Sequence, residues 1–190
     1  MPPAEPTTQD QPDPPGPDEP DSRPSQPSGC PDSVQVETVI KTDLGEAGLG
    51  DWLRDQVYRA VTLCGITEVR LTLVIVADDE MAKLHEQYTG VSGTTDVLTF
   101  NMAGGGLPSG SAQSVSSIEG DIVVCLDEAE RQAEKRDHET HHELLLYAVH
   151  GFMHLLGEDD HEKDDYERMH AREDLLLKQM GFGPLFDPNR

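Results

Sequence analysis

The sequence predicts a single domain that mixes α-helices with β-strands, preceded by an acidic, proline-rich tail. Three observations predict it. Four short stretches have strand texture, five longer ones carry apolar residues at helical spacing, and residues 1–33 hold almost nothing that could fill a core. A chain of 190 residues with 35% hydrophobic content suits one domain plus a tail.

The tail, MPPAEPTTQDQPDPPGPDEPDSRPSQPSGCPDS, is dense in Pro, Asp and Ser, and its single basic residue, Arg23, faces seven acidic ones. Such a composition predicts a solvated, disordered segment rather than a docking motif. From Val34 the texture changes: VQVETVI alternates as a strand does, and Trp52, Leu53, Val57, Ala60 and Val61 place a helix over about Leu49 to Cys64. EVRLTLVIVA, from Glu68 to Ala77, begins by alternating and ends nearly all apolar, as a strand covered on both faces does. Asp78 or Asp79 then serves to cap a helix carrying Met81, Leu84, His85 and Tyr88. Strands TTDVLTFNM, from Thr94, and GDIVVCL, from Gly120, flank a Gly and Ser loop at 103–117, and an antiparallel pairing joins them most simply.

Asp127 opens a charged helix, DEAERQAEKR, on which Arg131, Lys135 and Arg136 read as a solvated face. T-H-H-E at Thr140 matches a capping box, with Thr140 as the cap and Glu143 reaching back. The helix it begins has broad apolar faces in Leu144, Leu145, Ala148, Val149, Phe152 and Leu155, so it should be buried at the centre. Gly151 in its interior costs roughly 0.5–1 kcal/mol against alanine, which points to a close backbone approach. A last helix over about Lys163 to Met180 is expected to turn Tyr166, Met169, Leu175, Leu176 and Leu177 inward.

Composition narrows function. A net charge of −23 opposes casual binding to nucleic acid or anionic membranes, because phosphate contacts are made largely by Lys and Arg. Cys30, Cys64 and Cys125 are odd in number and lack CxxC spacing, which suits a reducing compartment; Cys64 and Cys125 sit in apolar runs and read as core. No stretch approaches the ~18 apolar residues of a membrane span, and the N-terminus has no signal-peptide pattern, so a cytoplasmic protein is expected.

The chemistry concentrates in HGFMHLLGEDDH, His150 to His161. His150 and His154 are four apart, so on a helix both imidazoles project from one face. Gly157 is placed to end that helix in a left-handed conformation and let His161 return toward the same point. Three imidazoles around Zn²⁺ leave one tetrahedral position open and the metal's charge uncancelled, the catalytic type of site. Such an ion lowers the pKa of its water to around 7 and stabilises charge developing on a carbonyl or phosphoryl oxygen, so hydrolysis is expected, with His150 as both ligand and catalytic residue. The same donors suit Ni²⁺ or another divalent transition metal. A zinc metallopeptidase would read HExxH with the glutamate as base, and here that position is Gly151. Asp159, Asp160 and Glu158 are candidate bases or orienters, and spacing does not choose among them.

These residues resemble the signature HGxLHLxGxDH of the YbeY family, single-strand endoribonucleases of bacterial ribosomal RNA maturation. His150, Gly151, His154, Leu155, Gly157 and His161 match it, with Met153 in place of the leucine. TTDVLTF, Thr94 to Phe100, is similar to the family's TDVLSF strand, and GDIVVC, Gly120 to Cys125, to its next strand. The resemblance covers about Val34 to Gly183 and implies a domain over 34–190 with a zincin-like α+β fold. That fold is a small, mostly parallel sheet with one antiparallel strand, packed by about five helices. It also implies one zinc per chain on His150, His154 and His161, cleavage of single-stranded RNA at the 16S ribosomal RNA 3′ end, and ribosome quality control. Its partners would be the ribosome or small-subunit proteins, with neither DNA nor membrane.

Two departures stand out. Six residues separate His154 from His161 where the family has five, so either the loop bulges and His161 still ligates, or Asp160 takes the third position. Thr89 stands where many members have an arginine thought to serve cleavage, and a threonine cannot neutralise phosphate. That second departure keeps open a ribosome-assembly factor that binds without cutting.

Overall fold

A computed structural model describes residues 33–45, 47–102 and 117–183. The acidic tail, Cys30 and nearly all of the Gly and Ser loop lie outside them.

Four strands, β1 (Val34–Ile40), β2 (Glu68–Val76), β3 (Val97–Asn101) and β4 (Ser117–Cys125), form one sheet in the order β1-β2-β4-β3. β1, β2 and β4 are parallel, and β3 runs antiparallel along the edge of β4 with Leu98 opposite Val123 and Thr99 opposite Ile122. The architecture is therefore α+β, with the one antiparallel strand at an edge. β4 begins at Ser117, before the expected Gly120, because it pairs with β2 from Glu68 onward. β3 begins only at Val97. There the Asp96 side chain accepts from the Val97 amide while the Asp96 carbonyl accepts from Cys125.

Five helices pack on this sheet: α1 (Leu49–Leu63), α2 (Asp78–Thr89), α3 (Leu126–Arg136), α4 (Thr140–Leu155) and α5 (Lys163–Gln179). α4 is the buried element that the apolar pattern predicts, with Leu144, Leu145, Ala148, Val149 and Phe152 at 0% exposure. Fully burying a side chain such as Phe152 or Leu144 stabilises the fold by about 1.5–3 kcal/mol, so this one helix carries much of the core. Its approach to the sheet is set by glycine. A methyl group at Gly151 would lie 2.7 Å from Ile122 Cγ2 and 2.9 Å from Thr99 Oγ1, and one at Gly120 would lie 2.6 Å from the Phe100 carbonyl oxygen. With both positions bare, α4 lies directly against β3 and β4 and carries its histidines to the sheet edge.

Four expectations from the sequence are corrected by packing. Thr140 is the first residue of α4 rather than its cap, and no side chain caps that end. Glu143 does not reach back, because its buried carboxylate accepts from Arg136 Nη1 at 2.7 and 3.0 Å and pairs with His138 Nε2 at 2.6 Å. Likewise Ala77 precedes α2, with Asp78 and Asp79 inside its first turn, where carboxylates favour the positive end of the helix dipole. On α5 the inward face is Met169, Glu173, Leu176 and Leu177, while Leu175 is 56% exposed and Tyr166 36%. Two of the three cations of α3 are engaged rather than solvated: Arg131 grips Asp78 through two hydrogen bonds of 2.6 and 2.8 Å and Arg136 holds Glu143, while Lys135 is exposed as expected.

Cys125 is buried and donates to Asp78 at 3.2 Å, and Cys64 is half-buried. No helix among the described residues is long and apolar enough to cross a membrane.

Candidate metal centre

His150 and His154 occupy successive turns of α4 and converge. Their Nε2 atoms are 3.1 Å apart, and the rings stand perpendicular with centroids at 4.7 Å. The other nitrogen of each ring is held from behind. His154 Nδ1 lies 3.1 Å from the Glu158 carbonyl oxygen, which only accepts, so Nδ1 carries the proton and Nε2 presents its lone pair. His150 Nδ1 lies 2.8 Å from Glu173 Oε1, a carboxylate, with the same result. Two lone pairs facing each other repel unless a proton or a metal ion sits between them. Tetrahedral zinc, with Zn–N bonds of about 2.0–2.1 Å, sets its nitrogen ligands roughly 3.3 Å apart, so this pair fits such an ion.

The local sequence builds the backing. Gly157 has φ 86°, the left-handed conformation expected of it, and closes α4 with Gly157 N–H donating to the His154 carbonyl and Glu158 N–H to that of Met153. This turn brings the Glu158 carbonyl back over the helix end onto His154. The Glu158 side chain is fastened to α5 by Arg172 and, at 3.8 Å, by Arg168.

The third position is where the predicted residues part. Asp160 Oδ2 lies 3.6 Å from His150 Nε2, and one donor atom each from His150, His154 and Asp160 falls within a 4.8 Å circle. His161 is 84% exposed, with Nδ1 on the Asp159 carboxylate, and it groups with Asp159 and Asp160 rather than with the helix histidines. Asp159 also accepts from the backbone amides of Asp160 and His161, which consumes it within the loop. Of the three acidic candidates, Asp160 is therefore the one beside His150.

Electrostatics differ for the two helix histidines. Burial presses His150 toward the neutral form, but the hydrogen bond to Glu173, that residue's charge and that of Asp160 together outweigh it and raise the pKa. Burial and the neighbouring His150 lower that of His154.

A cleft of about 480 Å³ opens over these rings, lined by Thr95, Asp96, Val97, Leu98, Thr99 and Asn101 on the β3 side and by His150, His154 and Leu155 on α4. None of these lining residues is a lysine or arginine. Thr89 ends α2, where its hydroxyl donates to the His85 carbonyl at 2.7 Å and accepts from Val91 N–H at 3.2 Å, so its side chain serves the helix end.

Two residues of the site escaped sequence reasoning. Glu173 is fully buried, and His170 Nδ1 lies 2.6 Å from its second oxygen while the His170 ring stacks on His150 at 5.9 Å. The available signal was faint: His170 and Glu173 are three apart on a predicted helix, one turn of a face that also carries Met169 and Leu176. Of the other histidines, His85 lies 2.9 Å from the Gly93 carbonyl oxygen, while His141 and His142 pack around Trp52 and Phe182.

Comparison with known proteins identifies the family. The family model described as Endoribonuclease YbeY matches residues 37–181. A protein of Nocardia farcinica named Endoribonuclease YbeY is 41% identical over 112 residues, covering 57% of this chain and 60% of that protein. A Mycolicibacterium smegmatis protein of the same name is 39% identical and 62% covered, and one from Lysinibacillus sphaericus is 32% identical and 75% covered. The matched region thus spans about three-fifths of the first two relatives. A Thermotoga maritima protein solved in solution aligns with TM-score 0.49 and 24% identity over 82% of this chain and 99% of that one. With the family model running from β1 through the end of α5, the chain belongs to the YbeY family.

Proposed function

We propose that this chain is a metal-dependent endoribonuclease specific for single-stranded RNA, acting in 16S ribosomal RNA 3′-end maturation and ribosome quality control in the cytoplasm. The observation that carries it is the convergence of His150 Nε2 and His154 Nε2 at 3.1 Å on the floor of an open cleft, each ring's other nitrogen engaged. The relatives' name, Endoribonuclease YbeY, supplies the substrate class. We assign the domain to residues 34–190.

His150 and His154 supply two ligands to one Zn²⁺. The third is His161 by the signature, and Asp160 is the donor within reach as the loop stands. Bound there, the ion supplies Lewis acidity toward a phosphoryl oxygen and a water acidified toward neutral pH. The chain's own part is to hold the imidazoles by their Nδ1 atoms and, where His161 completes the ligand set, to leave the Asp160 carboxylate to accept a proton from attacking water. Thr95, just before β3, and Thr99 and Asn101 within it contribute hydroxyl and amide groups along one wall, suited to hydrogen bonds with bases and sugars of an extended strand.

A second reading, a ribosome-assembly factor that binds without cutting, is favoured by the cation-free cleft lining and by the local engagement of Thr89. One experiment separates them. Wild type and His150→Ala are incubated with single-stranded ribosomal RNA and their metal content is measured. Cleavage by metal-loaded wild type that is lost in the variant and with chelator supports the nuclease. Unchanged cleavage by metal-free variant overturns the metal mechanism, and folded, loaded wild type that never cuts assigns the binding factor.

A further inference from the structure

Glu173 has 0% exposure on α5, among Met169, Leu176 and Leu177. Burying a carboxylate costs several kcal/mol unless its charge is met, and among the described residues no lysine or arginine lies within salt-bridge distance of it. Its two oxygens are instead divided between two imidazoles: Oε1 accepts from His150 Nδ1–H at 2.8 Å and Oε2 from His170 Nδ1–H at 2.6 Å. His170 lies three residues earlier on the same helix and stacks on His150 with ring planes 20° apart. Tyr166 packs edge-on against His170 at 4.1 Å. The carboxylate is thus oriented by its own helix through His170 and spends its other oxygen on α4.

A core glutamate satisfied by any available donor would not need this arrangement. An Nδ1–H bond to Glu173 leaves Nε2 as the only lone-pair nitrogen of His150, and Nε2 is the atom that meets His154. A carboxylate behind a metal-bound imidazole fixes its tautomer and raises its basicity, and loss of such a partner typically costs 10–100-fold in metal affinity.

We propose that Glu173, held in place by His170, is a positioning residue that fixes the tautomer and orientation of His150 and thereby sets the metal affinity of the site. The inference rests on the metal-site reading above and adds a determinant from α5, outside the histidine signature.

The test uses the full chain and Zn²⁺ or Co²⁺ alone. Glu173→Gln keeps the shape and one acceptor oxygen but loses the charge, and Glu173→Met removes the acceptor altogether. Zn²⁺ dissociation constants by competition should rise about 10-fold in Glu173→Gln and toward 100-fold in Glu173→Met. The visible d–d spectrum of the Co²⁺ form should change in both. In metal-free protein, long-range ¹H–¹⁵N NMR should find His150 protonated at Nδ1 in wild type and a mixture of tautomers in Glu173→Met. Thermal melting of the metal-free forms monitors folding, and if one variant fails to fold the other decides. Folded variants with wild-type affinity and Co²⁺ spectrum would make Glu173 merely a core residue and overturn the proposal. Wild type that binds neither ion would instead overturn the metal-site reading itself.

Discussion

At the scale of single residues, Gly151 and the pair Asp160 and His161 hold the sharpest consequences. A methyl at Gly151 meets Ile122 and Thr99 below 3.0 Å, so Gly151→Ala should destabilise the fold by about 1–3 kcal/mol despite alanine's better helix propensity. Urea unfolding checks this, and an alanine variant as stable as wild type would mean that α4 sits further from the sheet. The same contacts bar a glutamate from this position, so the HExxH arrangement of a peptidase has no room here. For the third ligand, the signature predicts that His161→Ala lowers metal content more than Asp160→Ala. The 3.6 Å approach of Asp160 to His150 makes the reverse order the direct competitor. Metal analysis of the two purified variants assigns the ligand whichever way it falls.

Among the elements, the junction of α2 with α3 couples charge to stability. The two hydrogen bonds from Arg131 hold the Asp78 carboxyl down at about 2, against an ordinary value of 3.8. A depressed carboxylate contributes stability that is present above its unfolded pKa and lost as pH falls through the folded one. The contribution should therefore be complete at neutral pH and disappear between about pH 4 and pH 2. Both side chains are more than a third exposed, so screening limits it to about 1 kcal/mol or less. Arg131→Met should lose that amount at pH 7 and match wild type near pH 2, as read from denaturant midpoints across pH. A difference between the two proteins that is independent of pH would show that Arg131 acts through packing alone.

For the whole molecule, charge bears on the proposed binding of RNA. The chain carries −23, and the described cleft lining has no lysine or arginine. Binding that rests on a metal and on hydrogen bonds to bases releases few counterions. The slope of log affinity against log salt should then be shallow, about −1 to −2 for single-stranded RNA, and binding should fall sharply with chelator. A slope of about −4 or steeper would mean that a cationic groove, and not this cleft, carries the RNA. Fluorescence anisotropy over a salt series gives the value.

Much of this was legible in the chain itself. Periodicity located all four strands and five helices, since alternation and helical spacing are properties of neighbouring residues. The HGFMHLLG stretch placed two imidazoles on one helical face and ended it at Gly157, because both follow from helix geometry alone. The interior glycine announced the close approach of α4 without naming Thr99 and Ile122 as its reason. Long-range pairings stayed hidden. Glu143 matches a capping box in sequence, but Arg136 and His138 claim its carboxylate in three dimensions. Glu173 sits 23 residues beyond His150 in an unremarkable charged helix, and only the packing of α5 on α4 joins them. The sequence by itself determined the elements and the two helix histidines of the site, because these depend on local spacing. Only the tertiary structure decided which carboxylates stand behind and beside those histidines, because that depends on how separate helices and a short loop pack together.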